Sequence, residues 1–496
     1  MVAFKRRHWS LIFLVAILLI ASFFRLYRIR DYLVFLGDEG RDALVWKRML
    51  VDHKFTLLGP TASVGGFYLG PIYYYLTLPF AGATRLDPVG PAYFVALLGI
   101  ATVYLVYVFG RRYLNQTIGL TAAFLYSFAP LIVRYSRSSW NPNPLPFFTL
   151  AGLMLVYEGT RKNKPWLLLL AGIFLGISWQ LHYLALILAP IYIVIVLTQN
   201  KQFSLRATCY QLLAIFFGWA AGFAPFLAFE IRHGFPNTRT IFEFITRPQG
   251  AIHPQLFDVF ITSIRRTFFM FTTVLATPDT TWLRLLALTS AAAVISWSIH
   301  RHKLLLIWYG VGMFVFAFYN TGIADYYFGF LFPVPFLMIA TLLYVLLRKL
   351  NRFGLPVFVA ALLFLSYRQL SQAFFINRPN HQIDQTERIA DTVIAQAQGR
   401  DFNFALISSG NSDHAYRFFL ETKGYRPLGL EEQVTDQLII VCEKPEPECK
   451  PLGNSLWEIA GFGRSEINTQ VTVNPGITIY RMTHYFEETS LPYYGQ

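Results

Sequence analysis

Separated apolar runs of about twenty residues dominate this sequence and most constrain its fold. Each run is long enough to cross a hydrocarbon layer about 30 Å thick. With 55% hydrophobic and only 14% charged residues, the chain lies outside the range of soluble globular proteins. The pattern predicts a polytopic, all-helical membrane protein, with spans near residues 9–27, 89–110, 117–135, 143–160, 165–180, 182–199, 207–229, 281–299, 304–320, 326–347 and 353–375.

Basic residues orient these eleven predicted spans. One set of alternate loops is rich in Lys and Arg, and such loops prefer the cytoplasm. This set comprises Lys5 to Arg7, Arg111-Arg112, Arg161 to Lys164, Lys201 with Arg206, Arg301 to Lys303, and Arg348-Lys349 with Arg352. The outer face then carries residues 31–67, 134–144, 231–280 and 320–325 and everything after 375. We therefore expect a multi-pass inner (plasma) membrane protein with a cytoplasmic N-terminus.

Two domains are predicted. Residues 1–375 form the membrane domain, with outer loops 28–67 and 231–280, and residues 376–496 form a small extracytoplasmic α/β domain. The helices of this domain are expected at 385–398 and 413–423, the second with Ser412 or Asp413 as its N-cap. Its strands are expected at 402–408 and 437–443, and a hairpin at 471–480 turns at Asn-Pro-Gly.

Two further features are predicted outside this pattern of helices and strands. Phe67 to Ala83 is read as an interfacial helix. Cys442 and Cys449 could pair in an oxidising compartment.

The formal net charge of +14 does not indicate nucleic acid, because the basic residues flank apolar runs and form no stripe on a soluble domain. The lipid bilayer is the expected partner.

The first outer loop contains Gly37-Asp38-Glu39-Gly40-Arg41-Asp42, followed by an amphipathic stretch. From charge alone this motif could be a capped interfacial helix whose first turn carries acids. Its context favours another interpretation. Four features follow one another along the chain. They are an outer Asp-Glu, the segment Gly70-Pro-Ile-Tyr-Tyr-Tyr-Leu76, a span ending in Gly110-Arg-Arg112, and a late Tyr326-Tyr327 before Pro333-Val-Pro335.

This order resembles the C-type membrane glycosyltransferases, in particular the branch of protein O-mannosyltransferases and lipid A aminoarabinose transferases. The resemblance implies a transferase that moves a sugar from a polyprenyl-phosphate carrier to an acceptor on the outer face. It makes Asp38 the catalytic base and matches Glu39 to the family's following acid. Direct displacement would invert the anomeric centre. The sugar and the acceptor, whether protein, lipid or glycan, stay open.

Other residues are candidates for substrate binding. Guanidinium groups match phosphate oxygens, so arginines outside the membrane are expected to hold the departing phosphate. Aromatic rings can stack on a sugar, and a histidine or amide can orient a hydroxyl group. The predicted binding residues are Arg41, Arg134, Arg137, Trp140, Asn141, His182 and Tyr326. For Arg134 and Arg137, extension of a charged side chain from a span end is the simpler alternative.

Two departures from the family pattern limit the prediction. Tyr68-Leu69-Gly70-Pro71 stands where aminoarabinose transferases carry Glu-Lys-Pro-Pro, and Tyr326 replaces the family's usual arginine. We therefore do not assign the aminoarabinose activity. The motifs identify no definite cofactor and leave metal dependence open, since Asp38, Glu39 and Asp42 could hold a divalent metal. A flippase or carrier for a lipid-linked saccharide is the main alternative, and a non-catalytic membrane scaffold is the second.

Overall fold

The computed structural model describes residues 2–62, 65–200, 204–246, 256–300, 303–319, 322–445 and 447–485. The basic loop residues Lys201, Arg301 and His302 lie outside this part of the chain, as do parts of the predicted outer loops. The chain divides into two compact units. The first is Met1–Ile29 with Phe55–Pro379, and the second is Arg30–Lys54 with Asn380–Gln496.

Most of the described chain is helical. The helices are α1 (Val2–Leu26), α2 (Gly37–Leu50), α3 (Ile72–Ala83), α4 (Val89–Phe109), α5 (Gln116–Ser127), α6 (Pro130–Ser136), α7 (Leu145–Lys162), α8 (Pro165–Leu181), α9 (Leu188–Gln199), α10 (Leu205–Gly222), α11 (Ala224–His233), α12 (Pro236–Thr246), α13 (Leu256–Val274), α14 (Thr281–His300), α15 (Leu304–Phe316), α16 (Val334–Lys349), α17 (Gly354–Leu370), α18 (Gln382–Ala397), α19 (His414–Thr422) and α20 (Trp457–Ala460).

Several predicted spans are bent. Within the described residues, three helical segments are long and apolar enough to cross a membrane: His8–Leu26, Val89–Leu114 and Asn351–Leu370. Three further pairs of helical segments are long and apolar enough if each bent pair is counted as one span. These are α5 with α6, bent by 68°, α10 with α11, bent by 76°, and the 3-10 helix Asp325–Leu331 with α16, bent by 61°. A proline follows each break, where its ring and missing N–H interrupt the helical bonds. The count of eleven spans stays a prediction.

Part of the segment predicted as a long outer loop, residues 231–280, is helical. Helices α12 and α13 occupy Pro236–Thr246 and Leu256–Val274. The buried residues of α13 recur at helical spacing on one face: Val259, Arg266, Thr267, Met270, Phe271 and Val274. Met270, Phe271 and Val274 of this face belong to the apolar core of the first unit. The placement of residues 231–280 on the outer face stays a prediction. The helical structure of this stretch was not predicted, because Asp258, Arg265 and Arg266 lower the average hydrophobicity of α13 below that of an apolar span.

Two helices of the first unit approach each other through matching glycines. A Cβ atom added at Gly172 of α8 would lie 2.1 Å from the Ile215 carbonyl oxygen, and one at Gly218 of α10 would lie 1.9 Å from the Leu169 carbonyl oxygen. Gly176 and Gly222 repeat the arrangement one turn later. Such small residues at four-residue spacing allow backbones to pack closely where lipid supplies no hydrophobic driving force.

The second unit has the predicted small α/β fold. Strands β1 (Asn403–Ile407), β2 (Gln437–Cys442), β3 (Ser465–Asn474) and β4 (Ile477–His484) form a sheet of order β1-β2-β4-β3. The first pair is parallel and the other two pairs are antiparallel. The β3–β4 hairpin turns at Asn-Pro-Gly as predicted, with Gly476 at a φ of 92°. Cys442 and Cys449 form a disulfide.

The segment Arg30–Lys54, which contains α2, packs with the C-terminal residues, a grouping that the sequence pattern does not predict. Arg30 pairs with Asp384 at 2.9 Å, and Lys47 pairs with Glu421 at 3.2 Å. The Phe35 ring contacts the rings of Phe418 and Phe419 edge-on at 5.8 and 5.6 Å. The contacts of Arg30, Phe35 and Lys47 with the C-terminal residues each join positions more than 340 residues apart in the chain.

Two glycines bring α2 close to the start of α19. A Cβ atom at Gly40 would lie 2.2 Å from the Ala415 backbone nitrogen, and one at Gly37 would lie 2.0 Å from Ser412 Oγ. Backbone atoms cannot rotate away as side chains can. We therefore expect this contact to tolerate no side chain at position 40.

Gly40→Ala should force α2 away from α19 and destabilise the second unit by about 1–3 kcal/mol, the usual cost of overpacking. Gly310 is the matched control, because it is also helical and a Cβ atom there meets nothing within 4 Å. Gly310→Ala should be neutral or slightly stabilising, since alanine is the better helix former. Thermal unfolding and hydrogen exchange of residues 37–50 measure both effects. Equal behaviour of the two variants would contradict the close contact.

Candidate active site

Helix α2 begins with the acidic motif, and its three carboxylates differ in how exposed they are. The Asp38 side chain is 56% exposed, whereas that of Asp42 is fully buried. Glu39 is buried as well. Acids in a first helical turn are favoured by the helix dipole, which explains why this sequence begins a helix here.

Arg41 holds Asp38 and Asp42 at fixed positions on either side of its guanidinium group. Its Nε and Nη2 donate to Asp42 Oδ1 at 3.1 and 2.9 Å, and its Nη1 donates to Asp38 Oδ1 at 2.8 Å. Asp42 thereby fixes the plane of the guanidinium group, which in turn orients the Asp38 carboxylate. Asp38 Oδ2 takes no hydrogen bond from any residue that the structure describes. The result is an exposed carboxylate with one oxygen held and one available.

Glu39 faces the protein interior. The Leu36 backbone N–H donates to its Oε2 at 3.1 Å, which satisfies one of the unpaired donors at the start of α2. Burial raises the pKa of Glu39 to about 7, and the nearby Asp38 and Asp42 charges add to this rise. The predicted partner acid thus supports the first turn of α2 from inside.

The raised pKa predicts how stability depends on pH. The folded state holds the Glu39 proton more tightly than the unfolded state does. The stabilisation is therefore complete below pH 4.5 and is lost as pH rises towards 7, by about 3 kcal/mol at most. Glu39→Gln should remove this loss, so that the variant melts higher than wild type at pH 8 and similarly at pH 4.5. Thermal unfolding at the two pH values provides the check. If the melting temperature of the variant fell between pH 4.5 and pH 8 by as much as that of wild type, the raised pKa of Glu39 would not be the cause.

The three carboxylates do not converge as metal ligands in this arrangement. Arg41 lies between Asp38 and Asp42, and Glu39 faces the interior. Within the described ranges, no group of three or more His, Cys, Asp or Glu side chains is arranged to hold a metal ion. The alternative of a divalent metal on Asp38, Glu39 and Asp42 therefore finds no support in the geometry.

In the first unit, several predicted binding residues gather around Asp325. Arg134 Nη2 donates to Asp325 Oδ2 at 2.9 Å, and the Tyr135 hydroxyl donates to Asp325 Oδ1. The Trp140 and Tyr326 rings meet edge-on at 4.6 Å, and the His182 ring lies 5.6 Å from Tyr326. Arg134, Trp140, His182 and Tyr326 therefore form one aromatic and charged cluster, which the pairing of Arg134 with Asp325, 191 positions apart in the chain, brings together.

Arg137, the other predicted phosphate residue, is buried in the first unit. Its guanidinium group donates to the Phe24 and Tyr27 carbonyl oxygens at 2.9 and 3.0 Å and lies 3.7 Å above the Phe374 ring. Carbonyl groups at the C-terminal end of a helix have no partners within the helix, and a cation there also complements the dipole. In this structure Arg137 thus stabilises the end of α1.

Asn141 and His182 hold the backbone at the break between α8 and α9. Asn141 Nδ2 donates to the Leu181 carbonyl oxygen at 2.8 Å. The Leu184 N–H donates to His182 Nδ1 at 3.2 Å, so in the neutral ring the proton is on Nε2. Both contacts order the turn that presents the His182 ring to Tyr326.

Sequence reasoning missed Asp325 and Tyr135 as members of this cluster. Asp325 is a carboxylate at the edge of an apolar run, directly before Tyr326-Tyr327, and such a charge beside a span was the available signal. It also missed the pair of Tyr183 and Tyr319, whose hydroxyls are 2.8 Å apart. No short-range pattern links residues 183 and 319.

Comparisons with known proteins agree with this architecture. Residues 88–229 match the model of the dolichyl-phosphate-mannose-protein mannosyltransferase family. The chain is similar in structure to ArnT from Cupriavidus metallidurans in the apo state, with a TM-score of 0.62 and 12% identity over 96% of this chain and 98% of that chain. The curated protein sequences contain no match.

Two further structures are also similar. The undecaprenyl-phosphate complex of the same ArnT has a TM-score of 0.57 and 13% identity, again over 96% and 98% of the two chains. The archaeal oligosaccharyltransferase AglB from Archaeoglobus fulgidus, in complex with an inhibitory peptide and a dolichol-phosphate, has a TM-score of 0.50 and 14% identity over 88% and 69%. The fold is that of the C-type membrane glycosyltransferases. The resemblance seen in the sequence is thereby confirmed, and with it the assignment as an integral membrane protein of predominantly helical structure.

Proposed function

We propose that this chain is a glycosyltransferase that moves a sugar from a polyprenyl-phosphate carrier to an acceptor, with inversion, and that Asp38 is the general base. The observation that carries the proposal is the arrangement of Asp42, Arg41 and Asp38 on α2. It leaves one oxygen of an exposed carboxylate available while the other is held.

This arrangement suits the chemistry of glycosyl transfer to a hydroxyl or amide group. The acceptor proton must leave as the bond to the anomeric carbon forms, and a positioned carboxylate can take it. The lipid phosphate is already a good leaving group, so the reaction requires no carboxylic acid partner, unlike hydrolysis of a glycoside. A single base therefore suffices. The buried position of Glu39 is consistent with a supporting role beside that base.

The departing phosphate requires a cation, and Arg134 is the candidate that its surroundings favour. Its side chain is 63% exposed, in contrast to the buried Arg137. A phosphate group would compete with Asp325 for the Arg134 guanidinium. Trp140 and Tyr326 offer aromatic faces beside it for a sugar ring, and His182 offers a proton donor at Nε2. We assign these residues to donor binding.

The similar proteins support the class of donor. The ArnT crystal structure contains undecaprenyl phosphate, and the AglB structure is a complex with a dolichol-phosphate and an inhibitory peptide. Both ligands are polyprenyl phosphates. The matching family model describes transfer of mannose from a dolichyl phosphate to protein. We therefore propose a polyprenyl-phosphate sugar as donor and leave the sugar and acceptor open.

A flippase or carrier for a lipid-linked saccharide is the second candidate, because it would also use arginines and aromatic rings. It gives no reason for Arg41 to hold an exposed carboxylate with one oxygen left available. The two candidates differ in whether a new glycosidic bond forms.

Asp38→Asn should lower transfer by about 10²–10⁴-fold, because the amide keeps the size of the side chain but cannot accept the proton. Donor binding and melting temperature should stay close to wild type. Asp391→Asn is the matched control, since the Asp391 side chain is 53% exposed, close to the value for Asp38, and pairs with a cation, Lys423, at 2.6 Å. The control should transfer at the wild-type rate.

The measurement uses the full chain in lipid nanodiscs with a polyprenyl-phosphate sugar and candidate acceptors. Product formation and donor affinity are determined for both variants. Transfer by the Asp38→Asn variant at the wild-type rate would remove the catalytic role. Movement of a labelled lipid donor across the membrane without product would favour the flippase.

We further propose that the second unit lies on the non-cytoplasmic side. In a Cys209→Ser background, Ser455→Cys should react with a membrane-impermeant thiol reagent in intact cells, whereas Lys164→Cys should react only after lysis, because basic loops stay in the cytoplasm. Both positions are exposed within their own units, so accessibility of the side chain is matched. Labelling of Lys164→Cys alone in intact cells would reverse the orientation.

A further inference from the structure

Asn411, in the loop between β1 and α19, is bonded directly to the start of the acidic helix. The Gly37 backbone N–H donates to Asn411 Oδ1 at 2.9 Å. Gly37 is the first residue of α2, where backbone N–H groups have no partner within the helix. Asn411 therefore supplies a hydrogen bond that α2 cannot make for itself, one residue before Asp38.

Glu443 fixes which way the Asn411 amide faces. Asn411 Nδ2 donates to Glu443 Oε1 and Oε2 at 3.0 and 3.2 Å. An ionised carboxylate only accepts hydrogen bonds, so it must face the NH₂ group of the amide. The amide oxygen must then face Gly37. A rotated amide would place its oxygen against the carboxylate and its NH₂ group against an N–H donor.

Glu443 is itself held from two directions. The Tyr416 hydroxyl donates to Glu443 Oε1 at 2.6 Å, and burial together with the Glu443 charge raises the pKa of Tyr416, so the hydroxyl stays protonated as a donor. The Glu443 backbone N–H donates to the Ile407 carbonyl oxygen at 2.9 Å. Cys442, directly before it, is joined to Cys449. The carboxylate therefore has little freedom to move.

Close packing places the start of α2 next to the Asn411 loop. Gly37 and Gly40 lie against Ser412 and Ala415, next to Asn411 in the chain. The hydrogen bond fixes the first residue of α2, and the glycine contact fixes the distance between the two segments. Asp38 lies between the two glycines, and its ion pair among the described residues is with Arg41 of the same helix.

We propose that Asn411, oriented by Glu443 and Tyr416, is a positioning residue for Asp38. This inference rests on the proposed function, because it assigns the network to the placement of the general base. The C-terminal residues thus take part in transfer through the backbone of α2, without touching the substrate.

The first test compares Asn411→Leu with Asn454→Leu in the full chain. Leucine has nearly the size of asparagine but neither accepts nor donates. Asn454 makes a comparable pair of hydrogen bonds, from its Nδ2 to the Lys450 carbonyl oxygen at 2.9 Å and from the Leu456 N–H to its Oδ1 at 3.0 Å, with both partners in its own loop. Asn411→Leu should accelerate hydrogen exchange in residues 36–44, and Asn454→Leu should not.

The second test measures transfer. Asn411→Leu should lower kcat by about 10- to 100-fold, the loss expected for a misplacement of roughly 1 Å, with donor Kd unchanged. In an Asp38→Asn background the same substitution should change the residual rate by no more than about twofold, because the two residues act through one step. Tyr416→Phe should give a smaller loss of kcat than Asn411→Leu, since Glu443 keeps its other contacts.

The outcomes separate this inference from the proposed function. Unchanged exchange in Asn411→Leu would overturn the anchoring, and an unchanged kcat with faster exchange would overturn the positioning role. Equal losses in the wild-type and Asp38→Asn backgrounds would also overturn it, because they would show that Asn411 acts independently of Asp38. If the wild-type chain transfers no sugar, the proposed function and the positioning role fail together, whereas the exchange experiment still decides the anchoring.

Discussion

The close approach of α2 to the start of α19 is the contact on which the arrangement of the acidic motif depends. Two glycines permit it, since a Cβ atom at either position would lie within 2.2 Å of Ser412 Oγ or the Ala415 nitrogen. Once the backbones are this close, Asn411 reaches the Gly37 N–H and fixes the start of the helix on which Arg41 bonds to two carboxylates. Short-range polar contacts are strong only at fixed geometry, so the packing determines whether these bonds form.

Three arginines of this protein have contrasting surroundings. Arg41 is held by a buried carboxylate and orients an exposed one, whereas Arg137 donates to backbone carbonyl groups at the end of α1. Arg134 keeps most of its side chain exposed and pairs with Asp325. Position in a sequence motif therefore does not determine the role of an arginine. The partners that surround its five N–H donors do.

Local patterns in the sequence were sufficient for much of the fold. Apolar runs located most helices of the first unit, and alternating residues with an Asn-Pro-Gly turn located the β3–β4 hairpin. Helix α13 was missed because its charged residues, Asp258, Arg265 and Arg266, lower its average hydrophobicity. Asp38, Glu39 and Arg41 were found from a motif, but the partners Asn411 and Glu443 were not. The bond between Asn411 and Gly37 joins residues 374 positions apart in the chain, and no local periodicity records such a pairing.

The distance along the chain between α2 and its partners has a consequence for biosynthesis. Domains form largely in the order in which the ribosome makes them. Residues 30–54 emerge early, but Asn411, Ala415 and Glu443 are made only after the helices of the first unit. A nascent chain therefore carries its acidic motif through the whole of membrane insertion without the groups that order it. The motif matures last, when the protein is already in its membrane.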